Sequence, residues 1–301
     1  MSTAISVVVV AYDMARELPR TLRTLSPHFQ RGVSASDYEI VVIDNGSPDP
    51  VDEQLVTGGF GSVRLSRLHP APASPARAAN LGIEMATGDL VGLVVDGARM
   101  ASPGLIATAR RAAMLFSRPI VASVGYHLGT VRHMDAVEAG YDRRAEDELL
   151  ASIDWQEDGY RLFSVSTLAG SSVWGWFEPL AESSALFMPK ELWRELGGLD
   201  ERFELPGGGL VNHDLYRRAC ELKGTRLVML LGEGTFHQMH DGAATSRRFG
   251  FEEMQEDYVR LRGQRYRPPR KETFYFGRVP DAALDHLTDS AAKAIERRRL
   301  S

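Results

Sequence analysis

The chain has 301 residues, of which 44% are hydrophobic and 25% charged, as in an ordinary folded protein. Its formal net charge of -5 excludes the strongly basic surface of a typical nucleic-acid binder, and its single cysteine, Cys220, excludes an internal disulfide. The apolar run 5–11 is too short to span a bilayer. We therefore expect a cytoplasmic protein without a transmembrane segment, at most peripheral to a membrane.

Buried strands alternate with amphipathic helices in the first 116 residues. The β-branched and apolar runs 5–11, 39–43, 63–68 and 90–95 predict strands. Apolar residues at helical spacing predict helices over 16–26 and 76–86, the second closed by Gly88. Ser102-Pro103 predicts the capped start of another helix, which runs to about residue 116. This alternation predicts a doubly wound, mostly parallel α/β sheet with helices on both faces.

The second half of the chain is less regular. Its patterns predict strands at 120–126 and 226–231, and helices at 134–151, 189–196, 213–223 and 246–262. Asn212 is the expected cap of the helix 213–223, and Gly224 follows its end. The basic segment 262–271 is expected to be a solvated tail, the alternative being a contact with a membrane surface or a partner.

Three aspartates, Asp13, Asp44 and Asp96, follow predicted strands. Ligands of open α/β sheets bind beyond the carboxyl ends of the strands, where these side chains would lie together. Carboxylates placed there can bind a base and a ribose. Each aspartate taken alone is equally well explained as the cap of a turn or of the next helix.

Five segments, in order, resemble the motifs of family 2 glycosyltransferases, which have the GT-A fold. They are VVVVAYDMARELPRTL, VVIDNGSPD, ARAANLGIEMATGDLVGLVVDGA, GGLDERF and NHDLYRRA. The resemblance covers about residues 5–240. It implies an enzyme of carbohydrate biosynthesis that moves a sugar from a nucleoside diphosphate sugar to an acceptor hydroxyl with inversion. A UDP-sugar is the expected donor.

The resemblance also implies a donor site in the N-terminal part of the chain. Asp44 is similar to the aspartate that hydrogen-bonds the base, and Tyr12 and Glu17 are similar to residues that shape the nucleotide pocket. Arg77 resembles the arginine on the helix that faces the donor. Asp96 matches the first acid of the Asp-x-Asp motif, near the ribose and diphosphate.

For the acceptor side, the resemblance implies that Asp214 is the general base, which takes the proton of the attacking hydroxyl. The alternative is a first-turn acid that is stabilised by the helix dipole. Trp174 and Trp176 are candidates for stacking on acceptor sugar rings, although buried core positions explain them equally well.

The Asp-x-Asp motif is degenerate, because Ala98 stands where the second carboxylate, the usual metal ligand, is expected. Arg99 is a candidate donor-binding residue that can place positive charge near the diphosphate instead. A divalent cation, Mn²⁺ or Mg²⁺, would then need other ligands. Besides Asp96, the candidates follow the strand 226–231 and are Glu233, His237 and His240.

The resemblance divides the chain into a GT-A domain at 1–245 and a helical, basic extension at 246–301. The donor half of the domain spans about 1–100 and the acceptor half 101–245. Two alternatives stay open at this point. One is a glycosyltransferase-like protein that binds a nucleotide or glycan with weak or no catalysis. The other is a nucleotidyltransferase, although AYDMARE lacks the glycine- and lysine-rich loop expected of one.

Overall fold

A computed structural model describes residues 4–94, 96–129, 141–240 and 250–300. The strands are β1 (Ile5–Ala11), β2 (Tyr38–Asp44), β3 (Val63–Arg67), β4 (Leu90–Val94), β5 (Arg99–Ala101), β6 (Pro119–Leu128), β7 (Ser166–Leu168), β8 (Ala185–Pro189), β9 (Arg226–His237) and β10 (Thr273–Gly277). The helices are α1 (Leu18–Leu25), α2 (Glu53–Thr57), α3 (Ala76–Met85), α4 (Leu105–Ala113), α5 (Arg143–Ala151), α6 (Lys190–Leu196), α7 (Val211–Glu221), α8 (Phe251–Arg262) and α9 (Leu284–Leu300). Parts of the predicted strand 90–95 and of the predicted helices 134–151 and 246–262 lie outside the described residues.

Within the described residues the strands form one sheet in the order β10-β9-β6-β8-β4-β1-β2-β3, with β5 beside β9 and β7 beside β6. The pairs on either side of β1 are parallel, as are those that β9 makes with β6 and β10. Antiparallel pairing enters through β8, which runs against both β4 and β6, and through the short β5 and β7. The predicted α/β sheet with helices on its two faces is confirmed.

Strand β1 shows why the apolar runs form the centre of this sheet. Val8 and Val10 belong to the hydrophobic core on one face, whereas Val7 and Val9 belong to the core on the other. Successive side chains of a strand point to opposite faces, so a strand covered on both sides must be apolar throughout. Each valine fully buried in this way contributes about 1.5–3 kcal/mol.

Two glycines allow helix α3 and its C-terminal connection to lie close to the sheet. A Cβ on Gly82 would lie 2.4 Å from Val8 Cγ1, so this glycine lets α3 pack directly over β1. Gly88 was predicted to close α3, but the helix ends at Met85 with Ala86 as its C-cap. A Cβ on Gly88 would lie 2.7 Å from Ser6 N, so close backbone approach is what requires glycine there.

Two predicted helix caps are wrong. Helix α4 begins after Gly104, and the Ser102 hydroxyl donates to Glu233 Oε2 at 2.5 Å instead of capping the helix. Helix α7 begins at Val211, so Asn212 lies in its first turn rather than at its cap. In both cases the local sequence matched a capping pattern, and for Ser102 a contact with the distant Glu233 takes the place of the capping bond.

Strand β9 continues six residues beyond its predicted end and carries the chain to His237. The pairing with β6 shifts register after Ala122, and Gly232 adopts φ +73° in the interrupted stretch. Beyond this irregularity β9 pairs again with β6 and also with β5. Gly232, which follows the predicted end of the strand, therefore lies in a bulge inside a longer strand.

The C-terminal residues add to the same sheet. Strand β10, which the sequence assigned to an extension, pairs in parallel with β9 at its edge. Arg262 does not belong to a solvated tail, because its Nε donates to Asp214 Oδ1 at 2.6 Å. Among the described helices, none combines the length and apolarity that a membrane span requires.

Candidate functional site

The end of β9 lies beside the turn that carries the degenerate Asp-x-Asp motif. Asp96 follows β4, and its Oδ1 accepts a hydrogen bond from Ala98 N at 2.9 Å, which closes a tight turn into β5. Strand β5 then runs antiparallel to β9, so that Arg99 pairs with His237. This strand pairing places the acid after β4 next to a histidine from the distant end of β9.

Asp96, His237 and His240 form a compact cluster, which we call the Asp–His–His cluster. The Nε2 atoms of the two histidines are 2.9 Å apart, and His237 Nε2 lies 3.6 Å from Asp96 Oδ2. One ligand atom from each residue lies within 4.8 Å of the other two. Neighbouring ligands of an ion at about 2.1 Å stand roughly 3–3.5 Å apart, so these side chains fit a divalent cation.

The cluster is partly enclosed. His237 is buried, and Asp96 retains 21% of its side-chain exposure. Arg99 Nε donates to Asp96 Oδ2 at 2.9 Å, which places a guanidinium directly beside the candidate ligands. A carboxylate, two imidazoles and an arginine thus meet at the carboxyl edge of the sheet, where an anionic group such as a diphosphate can be bound.

Glu233 is not a member of this cluster, contrary to the prediction. Glu233 lies in the irregular stretch of β9, and its buried carboxyl accepts hydrogen bonds from Ser102 Oγ, Gly104 N and the Tyr160 hydroxyl. Burial raises the pKa of Glu233 to about 7, although these three donors oppose the shift. Glu233 therefore links β9 to the start of α4 instead of facing a ligand.

The predicted donor residues have different environments. Tyr12, after β1, is 52% exposed, and Arg77 is exposed in the first turn of α3. Asp44 is buried, and its carboxylate accepts hydrogen bonds from Ser47 N at 2.8 Å and Val51 N at 3.3 Å. Asp44 thus stabilises the loop that follows β2.

Glu17 is also buried rather than open to a pocket. It is 1% exposed, and its Oε1 accepts a hydrogen bond from Arg16 Nη1 at 2.9 Å. The structure therefore brings Tyr12, Asp44 and Asp96 to the carboxyl ends of β1, β2 and β4, as the sheet topology predicts. Glu17 instead belongs to a charged network that includes Arg16 and Arg143.

Asp214 lies in the first turn of α7 with its carboxylate buried. Arg218 Nε donates to Oδ2 at 2.7 Å, and Arg262 donates to Oδ1 at 2.6 Å and to Oδ2 at 2.8 Å. Arg262 also donates to Asp200, and Arg202 and Arg262 hold the pKa of Asp200 far below its ordinary value. Both oxygens of Asp214 are thus paired with guanidinium groups.

The two tryptophans predicted to bind an acceptor differ in exposure. Trp176 is 1% exposed and belongs to the hydrophobic core, so its ring faces cannot stack on a sugar. Trp174 is 40% exposed, and the Arg297 guanidinium lies 5.1 Å from the centre of its ring. For Trp176 the alternative explanation, a core position, is the correct one.

Sequence reasoning missed three residues that contact predicted site residues or their chain neighbours. His127 pairs with His237 in the β6–β9 register, and the two rings are 5.5 Å apart. Arg262 pairs with Asp214, and Glu146 contacts the backbone next to His240. None of the three belongs to a local motif, because each reaches the site through a contact between elements distant in sequence.

The described fold resembles solved structures of S. aureus TarS. The 1–349 fragment of S. aureus TarS in complex with UDP-GlcNAc matches with TM-score 0.55 and 11% identity, over 85% of this chain and 66% of that one. A longer S. aureus TarS structure matches with TM-score 0.55 and 11% identity, over 86% and 42%. The 1–349 fragment alone matches with TM-score 0.50 and 13% identity, over 79% and 58%.

At this level of identity, the structural matches show that the two proteins share a fold. This chain spans less than two thirds of each of those TarS chains. No protein of curated function matches in sequence. The model of glycosyl transferase family 2 matches residues 6–97, a segment that runs from β1 into the Asp96 turn. The chain therefore has the GT-A-type α/β fold that its motifs predicted, and its residues 6–97 match glycosyl transferase family 2.

Proposed function

We propose that this protein is a glycosyltransferase that takes a nucleoside diphosphate sugar, with UDP-sugar as the expected donor, and transfers its sugar to an acceptor hydroxyl. The observation that carries the proposal is the Asp–His–His cluster at the end of the family 2 segment. The TarS structure with UDP-GlcNAc supports a donor of this class on a related fold. The family match leaves the nucleotidyltransferase alternative without support.

The cluster supports a divalent cation as the cofactor. Asp96, His237 and His240 would hold it, and a bound cation would stabilise the charge that develops on the leaving diphosphate. A mixed set of imidazole nitrogens and one carboxylate suits Mn²⁺ better than Mg²⁺, which prefers oxygen ligands. Arg99 adds a permanent positive charge beside the same position.

The contacts of Asp214 argue against its acting as a general base in this conformation. An acceptor hydroxyl needs a base within hydrogen-bond distance, and the carboxylate of Asp214 is already shared between two arginines. This pairing favours a second candidate function, in which the protein binds a nucleotide sugar without transferring the sugar. For Asp214 to act as the base, the Arg262 guanidinium would have to withdraw when an acceptor binds.

Calorimetric titration with UDP in EDTA, Mg²⁺ and Mn²⁺ tests the proposal. We expect measurable binding in EDTA, through the protein's own contacts, and tighter binding with Mn²⁺. His240→Ala should remove the response to Mn²⁺, whereas His28→Ala, at an exposed position on the chain, should preserve it. Absence of binding by UDP and by other nucleoside diphosphates, with or without metal, would contradict the proposal.

Turnover separates the two candidate functions. A glycosyltransferase that binds its donor productively should slowly hydrolyse UDP-GlcNAc or another UDP-sugar when no acceptor is present. We therefore expect release of UDP above the uncatalysed rate, measured by chromatography. Tight binding of UDP with no hydrolysis of a panel of UDP-sugars would favour the binding protein.

A further inference from the structure

His240, unlike His237, is not held by a strand. His237 is the last residue of β9 and is fixed by pairing with Arg99 on β5 and His127 on β6. His240 follows β9 by three residues and lies outside the helices and strands. Contacts made by residues 238 and 239 therefore contribute to its position in the Asp–His–His cluster, beside its own contact with His237.

The first of these contacts fixes Gln238. Its backbone N–H donates to Ala98 O at 2.8 Å, in the turn that follows Asp96. Its side-chain amide donates to Glu17 O at 3.1 Å and to Thr21 Oγ1 at 3.2 Å. These bonds extend the alignment of β9 with the Asp96 turn by one residue, but they do not reach His240.

The peptide groups of Met239 are held on both sides. Met239 N donates to Glu146 Oε2 at 2.5 Å, and Arg16 Nη1 donates to Met239 O at 3.2 Å. The carbonyl that Arg16 binds belongs to the peptide bond between Met239 and His240. With its N–H and C=O both hydrogen-bonded to these side chains, the Met239 backbone is restrained, and this restraint limits where the following residue, His240, can lie.

Glu146 and Arg16 are in turn held by their own neighbours. Glu146 is fully buried on α5, and Arg16 Nη2 donates to its Oε1 at 3.2 Å. Arg16 also donates to Arg143 O at 2.8 Å and to Asp147 Oδ1 at 2.7 Å. A buried ion pair is a costly way to stabilise a fold, because apolar side chains of similar size often do as well or better. What this pair provides is a defined geometry at Met239.

We propose that Glu146 and Arg16 are positioning residues that clamp the Met239 backbone and so direct His240 toward His237 and Asp96. The inference rests on the proposed function only in taking the Asp–His–His cluster as a cation site. Neither residue belongs to the cluster, and they act on the cation through His240. Outer contacts of this kind typically change metal affinity by about 10- to 100-fold.

Cobalt provides a direct probe, because Co²⁺ bound by imidazole and carboxylate absorbs visible light and its affinity is measured without any turnover. We would titrate the full chain with Co²⁺ at pH 8. Glu146→Gln keeps the shape of the side chain but places an amide against Arg16 or Met239 N–H, and should weaken Co²⁺ binding about 10- to 100-fold. Glu148→Gln, on the exposed side of the same helix, is the matched control and should bind as the wild type does.

A double-mutant cycle distinguishes positioning from a general loss of structure. If Glu146 acts through His240, then Glu146→Gln should cause almost no further loss of Co²⁺ affinity in a His240→Ala background. Arg16→Lys, which keeps the charge but loses the forked guanidinium, should also weaken Co²⁺ binding. This second variant tests the inference independently if Glu146→Gln does not fold. Thermal unfolding in EDTA checks that each variant is folded.

Three results would overturn the inference. Wild-type Co²⁺ affinity in folded Glu146→Gln and Arg16→Lys would show that the clamp does not matter. An undiminished Glu146→Gln effect in the His240→Ala background would show that it acts elsewhere. Equal Co²⁺ binding by wild type and His240→Ala, or no binding by either, would instead remove the cation site on which the proposed function also depends.

Discussion

The substitution Asp214→Asn tests whether Asp214 is the general base or a structural anchor, that is, a buried carboxylate that stabilises the fold through its arginine partners. The wild-type carboxylate accepts three hydrogen bonds from Arg218 and Arg262 in a buried position. Removing one partner of a buried ion pair costs about 3–5 kcal/mol. Arg218 also donates to Leu196 O and Gly198 O, so it keeps other partners, and we expect a loss of about 2–4 kcal/mol. For a chain of this length that loss lowers Tm by about 3–6 °C.

Thermal and urea unfolding of Asp214→Asn measure this loss. The matched control is Asp154→Asn, whose ion pair with Arg161 is exposed and should contribute less than about 1 kcal/mol. If Asp214→Asn unfolds as the wild type does while UDP-sugar turnover falls about 10²–10⁴-fold, Asp214 is the base and the anchoring argument is refuted. If Asp214→Asn turns over UDP-sugar as fast as the wild type but is less stable, Asp214 is a structural anchor and not the base.

Three further substitutions test separate parts of the structure. Asp44→Ala removes the acceptor that organises the loop after β2, and should weaken UDP binding by about 1–3 kcal/mol in calorimetry. Because the pKa of Glu233 is raised to about 7, the folded state keeps its proton while the unfolded chain loses it near pH 4.5. Stability should fall by about 3 kcal/mol as pH rises between these values, and Glu233→Gln should remove that part of the fall. Gly92→Ala places a Cβ 2.3 Å from the Phe187 ring and should cost about 1–3 kcal/mol of stability in urea unfolding.

Each of these expectations has a matched control. Asp49→Ala, at an exposed position in the same loop as Asp44, should preserve UDP affinity, and an equal loss in both variants would contradict the role of Asp44. Parallel pH–stability curves for wild type and Glu233→Gln would show that Glu233 ionises normally. Gly170→Ala adds a Cβ with no atom within 4 Å, so equal stability of the two glycine variants would contradict the packing argument for Gly92.

Much of the fold was predictable from the sequence. A strand buried on both faces must be apolar throughout, so β1, β2 and β4 were recognisable from short β-branched runs. The family resemblance depended on the same local segments and is confirmed for residues 6–97. Asp96 could also be placed, because the residue that follows a buried strand of such a sheet lies at its carboxyl edge.

Element ends and contacts between distant elements were not predictable in this way. The sequence predicted a strand at 226–231, but pairing with β5 and β6 carries β9 on to His237. Trp176 and Trp174 occur in the same short segment, yet only the packing of the whole domain separates the buried ring from the exposed one.

The site itself depends on tertiary structure. Asp96 and His237 meet because β5 is in register with β9, and Asp214 is paired because α8 brings Arg262 to it. His240 is positioned through hydrogen bonds that Glu146 and Arg16, from two other parts of the chain, make to the backbone of Met239. Periodicity and motifs carry information only about the local structure of residues that are close together in sequence. Strand register and side-chain packing, which join residues far apart in sequence, are settled only when the whole core is assembled.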